Sequence, residues 1–171
     1  GDVSDQAMIS LVDSFNLAHP GRAFALPTDA TQPVDAQRLV DKAVARKGKL
    51  DYLFMTGAAP CGMPIEQVMD ESWRYAIDVN LMGVVRMLEA ALPVMRGQGR
   101  GGIALVLPLT GVMPAPYEAV CSATHAAARA LIESLRYELW DEKICLMSAC
   151  LDGVFSPAFQ LSGSEPAEEA A

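Results

Sequence analysis

Three short apolar runs alternating with long amphipathic stretches constrain this chain more than any other feature. "LDYLFMTGAAP" (50–60), "GGIALVLPL" (101–109) and "KICLMSACL" (143–151) are apolar almost throughout. Runs of that length and polarity suit strands covered on both faces. Between them, 69–95 places Trp73, Ile77, Leu81 and Val84 on the stripe of one long helix, and 119–140 forms a second. Upstream, "DQAMISLVDSFNLAHPG" spaces Met8, Leu11, Val12 and Phe15 for a helix that stops at Pro-Gly. "RAFALPTDA" predicts a short strand, and "DAQRLVDKAVARKGKL" an amphipathic helix closed by Gly48. Strands alternating with helices predict parallel α/β layering, with a sheet covered on both faces.

The 171 residues suit one ordinary domain, here 1–160, with "SGSEPAEEAA" and its neighbour Leu161 forming an acidic tail at 161–171. Thirteen Lys and Arg against twenty-one Asp and Glu leave a net charge of −8. That balance excludes nucleic acid and anionic membrane as natural partners, because both are held by clustered cations. The longest apolar stretch is broken by prolines and falls short of the ~20 residues that span a bilayer. The opening residues carry no signal segment, so a soluble cytoplasmic protein is expected. "RGQGRGG" (96–102) runs from helix to strand, the wrong order for a phosphate cradle, and predicts a helix cap and turn.

The four cysteines, Cys61, Cys121, Cys145 and Cys150, have no C-x-x-C spacing, and a chain of this size needs no disulfide. Cys145 and Cys150 are expected to be small buried hydrophobes. His19 and His125 are the only histidines, too few with these cysteines for a zinc set, so no metal is expected. Cys121 and His125 stand one helical turn apart and so face the same way. Such a pair could form a nucleophilic site, but one Cys and one His on a helix face are more often structural.

With the layout in place, an ordered series of segments resembles the short-chain dehydrogenase/reductase family, from about Met8 to Pro157. "PTDATQP" resembles the end of the family's third strand, with Asp29 at its acidic position. "GKLDYLFMTGA" resembles the fourth-strand segment ending Asn-Asn-Ala-Gly. "DVNLMG" matches the helix motif around the family's catalytic Asn, here Asn80. "AAARALIESLRYEL" has the style of the helix that carries its Tyr and Lys, and "CLDGVFSP" resembles the Pro-Gly-x-x-x-Thr-Pro loop. The resemblance implies a Rossmann-like doubly wound parallel sheet and hydride transfer with NAD(P). It places Asp29, Ala30, Thr56, Gly57, His125, Gly153 and Val154 along the cofactor. It also implies a homo-oligomer built on helices 69–95 and 119–140.

The departures fall on the chemistry. "SATHAA" aligned on Ser-Ala-Ser-Lys-Ala-Ala puts Cys121 at the Tyr position and His125 at the Lys position. Thirteen residues upstream, at the Ser position, stands Pro108, which has neither hydroxyl nor N–H. Asp152 replaces the loop's first Pro, and Met55-Thr56-Gly57-Ala58 replaces Asn-Asn-Ala-Gly. Of four catalytic positions only Asn80 is kept. A cysteine sulfur one bond beyond Cβ also cannot reach what a tyrosine hydroxyl reaches across its ring. Tyr117 and Thr110 are possible stand-ins, with capping a loop and ending a strand as their ordinary roles. Asp29 has capping of the following helix as its ordinary role, and Asn80 the bonding of nearby backbone.

The family's glycine-rich phosphate loop is absent from residues 1–171, which begin about where its second strand ends. The sheet then looks incomplete at both ends, and "RAFALPT" lacks its family neighbours. A piece of a longer protein is the favoured explanation. The expected function is a binding or assembly protein of oxidoreductase ancestry with an impaired centre. The alternative is an active NAD(P)-dependent enzyme with atypical residues acting on a small carbonyl or alcohol.

Overall fold

The structure is a computed structural model that describes residues 5–59 and 62–151. Helix α1 (Asp5–Ala18) leads through an extended stretch to α2 (Pro33–Lys47), followed by β1 (Tyr52–Met55), α3 (Asp70–Ile77) and α4 (Gly83–Gln98). Then come β2 (Gly101–Pro108), α5 (Ala119–Glu138) and β3 (Ile144–Leu151). The strands form one parallel sheet in the order β1-β2-β3, with Leu53 beside Ile103 and Ile103 beside Leu146. A parallel pair needs a long crossover, and α3–α4 and α5 provide the two crossovers.

The core lies on one face of the sheet. Leu53 and Met55 of β1, Ile103, Leu105 and Leu107 of β2, and Ile144 and Leu146 of β3 point into it. They meet Ala36 and Val40 of α2, Val84, Leu88, Ala91 and Met95 of α4, and Ala128 and Ile132 of α5. Small residues at 36, 91 and 128 let the helices lie close to the strands, and Ala91 and Ala128 are fully buried.

Four expectations need correction here. The strand expected at 22–30 is reduced to a single bridge at Pro27. Proline removes a donor from the ladder, and the described residues bring no second strand beside this stretch. The helix expected to run unbroken over 69–95 is divided by a π turn at Asp78–Met82, closed by Gly83 N–H donating to Asp78 O. The extra residue rotates the buried face, so Ala76, Asn80, Gly83 and Val84 turn inward while Ile77 is 40 % exposed. The second face of the sheet, expected to be covered, leaves Tyr52 72 %, Phe54 68 % and Met147 51 % exposed. Cys145 shares that face and is exposed, and Cys150 is half-buried. Among the described residues no helix covers these side chains.

The helix ends follow the sequence closely. Gly48 and Gly99 take left-handed conformations (φ 72° and 71°) as the C-caps of α2 and α4, so "RGQGRGG" is a cap and turn. No described helix is long and apolar enough to cross a membrane.

Candidate functional site

The C-terminal ends of β1 and β2, the π turn and the first turns of α5 converge, and the Asn80 side chain lies at their junction. It is 1 % exposed, carried inward by the π turn. Its Oδ1 accepts the Ala59 N–H at 2.7 Å, and its Nδ2 donates to Thr124 Oγ1 at 3.0 Å. The Thr124 hydroxyl in turn donates a hydrogen bond to the Val120 carbonyl at 2.8 Å. Asn80 therefore does not bond nearby backbone, as its sequence context suggested. It joins the turn after β1 to α5 across 21 and 44 residues of chain. A buried amide with both ends engaged is a strong positional constraint.

One helical step further along α5, polar atoms go without partners. His125 is 1 % exposed, and neither ring nitrogen has a hydrogen bond among the described residues. Ser122 Oγ, Thr110 Oγ1 and Arg129 Nε are likewise buried and unpaired. Burial holds the His125 imidazole below its ordinary pKa. The Cys121 carbonyl counters part of that fall, although its approach lies outside hydrogen-bond geometry. The Leu109–Gly111 turn packs closely on this part of α5: a Cβ added to Gly111 would come within 3.1 Å of His125 Cβ. Pro108 ends β2 and supplies no hydroxyl.

Cys121 also departs from expectation. It is 6 % exposed, its sulfur is held in a disulfide, and Sγ lies 3.6 Å from the Ala59 carbonyl oxygen. A disulfide sulfur has no thiolate to offer, so Cys121 and His125 are brought together without forming a nucleophilic pair. Cys61 lies outside the described residues.

At the other end of the site, Asp29 closes its own turn. Its Oδ1 accepts from Thr31 N–H and Thr31 Oγ1, both at 2.8 Å. The backbone bond, then the hydroxyl bond, holds this carboxyl below its ordinary pKa, helped by the charge of Arg86. Asp29 does not cap α2; instead its own N–H donates to Asp35 Oδ2 in the first turn of that helix, at 2.9 Å. Arg86 fastens this turn to α4, donating to Ala30 O at 2.9 Å while its other arm meets Asp78 Oδ1 at 2.6 Å. Gly83 permits the approach, since a Cβ there would stand 2.9 Å from Ala30 Cβ. Thr56 and Gly57 are exposed just beyond β1. Gly153 and Val154 lie outside the described residues.

Sequence reasoning did not single out Thr124, Ser122 or Arg86. Thr124 was legible only as the neighbour of His125, and Arg86 as an ordinary helix cation, because partners so distant in sequence leave no local signature.

A family model of short chain dehydrogenases matches residues 2–166. The chain belongs to the short-chain dehydrogenase/reductase family. An uncharacterised oxidoreductase of Listeria monocytogenes is 34 % identical over 121 residues, 71 % of this chain and 49 % of that protein. A 3-ketodihydrosphingosine reductase of Bacteroides thetaiotaomicron is 30 % identical over 129 residues, 74 % of this chain and 48 % of that one. The chain thus spans about half the length of the relatives it matches. Among solved structures, a short-chain dehydrogenase/reductase of Burkholderia phymatum in complex with NAD superposes with a TM-score of 0.89 at 23 % identity. That match covers 99 % of this chain and 62 % of the other. These likenesses make the fold Rossmann-like.

The residues of this corner do not fit the nicotinamide end of such a cofactor. The Lys position carries an imidazole sealed from solvent, and the Tyr position an oxidised sulfur. Asp29 at the opposite end keeps Oδ2 free of hydrogen bonds among the described residues, but its Oδ1 is committed to Thr31.

Proposed function

We propose that this chain is a family member of NAD(P)-dependent oxidoreductase ancestry whose reaction centre is impaired, and that it acts by binding or assembly. One observation carries this reading: His125 is buried with no hydrogen-bond partner among the described residues, beside a disulfide-bound Cys121 and a Pro108 that lacks a hydroxyl. General acid–base work needs a group of suitable pKa within reach of the substrate oxygen. None of these three is such a group. Assembly runs through α3–α4 and α5.

The test is titration of the full-length protein with NADH and NADPH by fluorescence, followed by turnover of a panel of carbonyl compounds. The expected result is no turnover. Steady oxidation of NADPH with any panel member would overturn the reading. It would favour the second one, an active enzyme with atypical residues on a carbonyl or alcohol, which draws support from the reductase and oxidoreductase names of the relatives.

A further inference from the structure

Acidic residues outnumber basic ones twenty-one to thirteen along this chain, yet one cleft reverses the balance. A cavity of about 380 Å³ beside the start of β1 is lined by Arg22, Arg46, Lys47 and Lys49 and, among the described residues, by a single acid, Asp51. Three short pieces of chain build it. Arg46 and Lys47 stand in the last turn of α2, where the free helix carbonyls favour cations. Gly48 then turns the chain, and Lys49 and Asp51 lead into β1. Arg22 and Phe24 come from the extended stretch after α1. Asn80 lies at the C-terminal ends of the strands, so this cleft is at the other end of the sheet from the candidate site.

Partners within the protein do not use up this charge. The Arg46 guanidinium lies 4.8 Å over the centre of the Phe24 ring and donates to the Gly21 carbonyl at 3.3 Å. Both partners are neutral, so they orient the charged fork without cancelling it. The Asp51 carboxylate meets Lys49 at 2.7 Å on one oxygen and Arg100 at 3.8 Å on the other. The charged ends of Arg22 and Lys47 have no ion pair or hydrogen bond among the described residues. A cleft lined by one sign of charge draws in ions of the opposite sign. Two guanidinium forks and two ammonium groups suit a phosphate, whose oxygens accept several charge-assisted hydrogen bonds at once. The volume is that of a small-molecule site.

We propose that this cleft binds a small soluble molecule bearing a phosphate group, held by Arg22, Arg46, Lys47 and Lys49. The site stands apart from the reaction centre and does not depend on its state.

The probe is inorganic pyrophosphate, titrated calorimetrically into the full-length protein at low ionic strength without divalent cations. Saturable binding is expected. The four cations are exposed, so replacing them leaves the core untouched. Arg22→Ala and Arg46→Ala should each weaken binding by about fivefold or more. Asp51→Asn removes the one acid and should tighten it by about twofold or more. Arg136→Ala, the same loss of charge on α5, should leave affinity within about twofold of wild type. No binding by wild type, unchanged affinity in the Arg22→Ala, Arg46→Ala double variant, or an equal loss in Arg136→Ala would each overturn the assignment. Sedimentation of wild type with phosphatidylserine–phosphatidylcholine vesicles, abolished in the double variant, would assign the cleft to a lipid headgroup and overturn a soluble ligand. Turnover of NADPH is measured separately and decides only the reading of the reaction centre.

Discussion

Two buried polar groups on α5, Thr124 and His125, sit one residue apart and have opposite fates. Thr124 donates to Val120 O and accepts from Asn80, closing a network in which Asn80 also holds the Ala59 N–H. His125 faces Gly111 with both ring nitrogens unpaired, near the orphaned hydroxyls of Thr110 and Ser122. Burial of a polar group is costly unless it is hydrogen-bonded, so the first arrangement stabilises the fold and the second burdens it. The difference separates the scaffold of an oxidoreductase from its chemistry. The bonds that set the turn after β1 against α5 are formed, whereas the buried His125 imidazole has no hydrogen-bond partner among the described residues.

The largest expected effect comes from breaking the satisfied side. Asn80→Ala strands the Ala59 N–H and the Thr124 hydroxyl and opens a cavity, and it should cost ~2–4 kcal/mol in chemical denaturation. Thr124→Val removes the bonds but fills the space, and a loss of ~1–2 kcal/mol is expected by the same measurement. Gly111→Ala presses a methyl against the His125 backbone, costing ~1–2 kcal/mol. Combining it with His125→Ala should be close to additive in a double-mutant cycle, because the Cβ and backbone atoms that the methyl meets are kept in alanine.

The smallest effect is the most diagnostic. His125→Leu deletes an unpartnered imidazole and is expected to be neutral or stabilising by up to ~1 kcal/mol near pH 7. Its pH dependence has a definite sign. The folded His125 pKa lies below the ordinary 6.5, so the unfolded chain takes up the proton first as pH falls. Stability should therefore be lost below about pH 6.5 and level off once the folded ring also protonates. Thermal unfolding of wild type against His125→Leu across pH 7 to 5 should isolate that slope, which the variant lacks.

Much of the fold was legible because it depends on local pattern. The three apolar runs are strands, the caps at Gly48 and Gly99 fall where glycine punctuates the chain, and α5 begins and ends within two residues of expectation. What pattern missed depends on neighbours. Residues 22–30 have strand composition but no strand beside them among the described residues, and Tyr52, Phe54 and Met147 are apolar side chains left exposed. The π turn follows from the demand that Asn80 reach Ala59 and Thr124, which helical periodicity cannot express. At the site, the replaced residues were legible as Pro108, Cys121 and His125. Their consequence, a disulfide and an imidazole with no partner, required coordinates.

The most direct test of the central claim is an NMR titration of the His125 ring in the full-length protein, with NADPH added at each pH and the signals assigned through His125→Leu. A buried, disengaged imidazole should titrate below its ordinary 6.5, with shifts indifferent to NADPH. A ring that titrates near its ordinary value, or that moves when NADPH is added, would show a position still open to cofactor and would contradict the account.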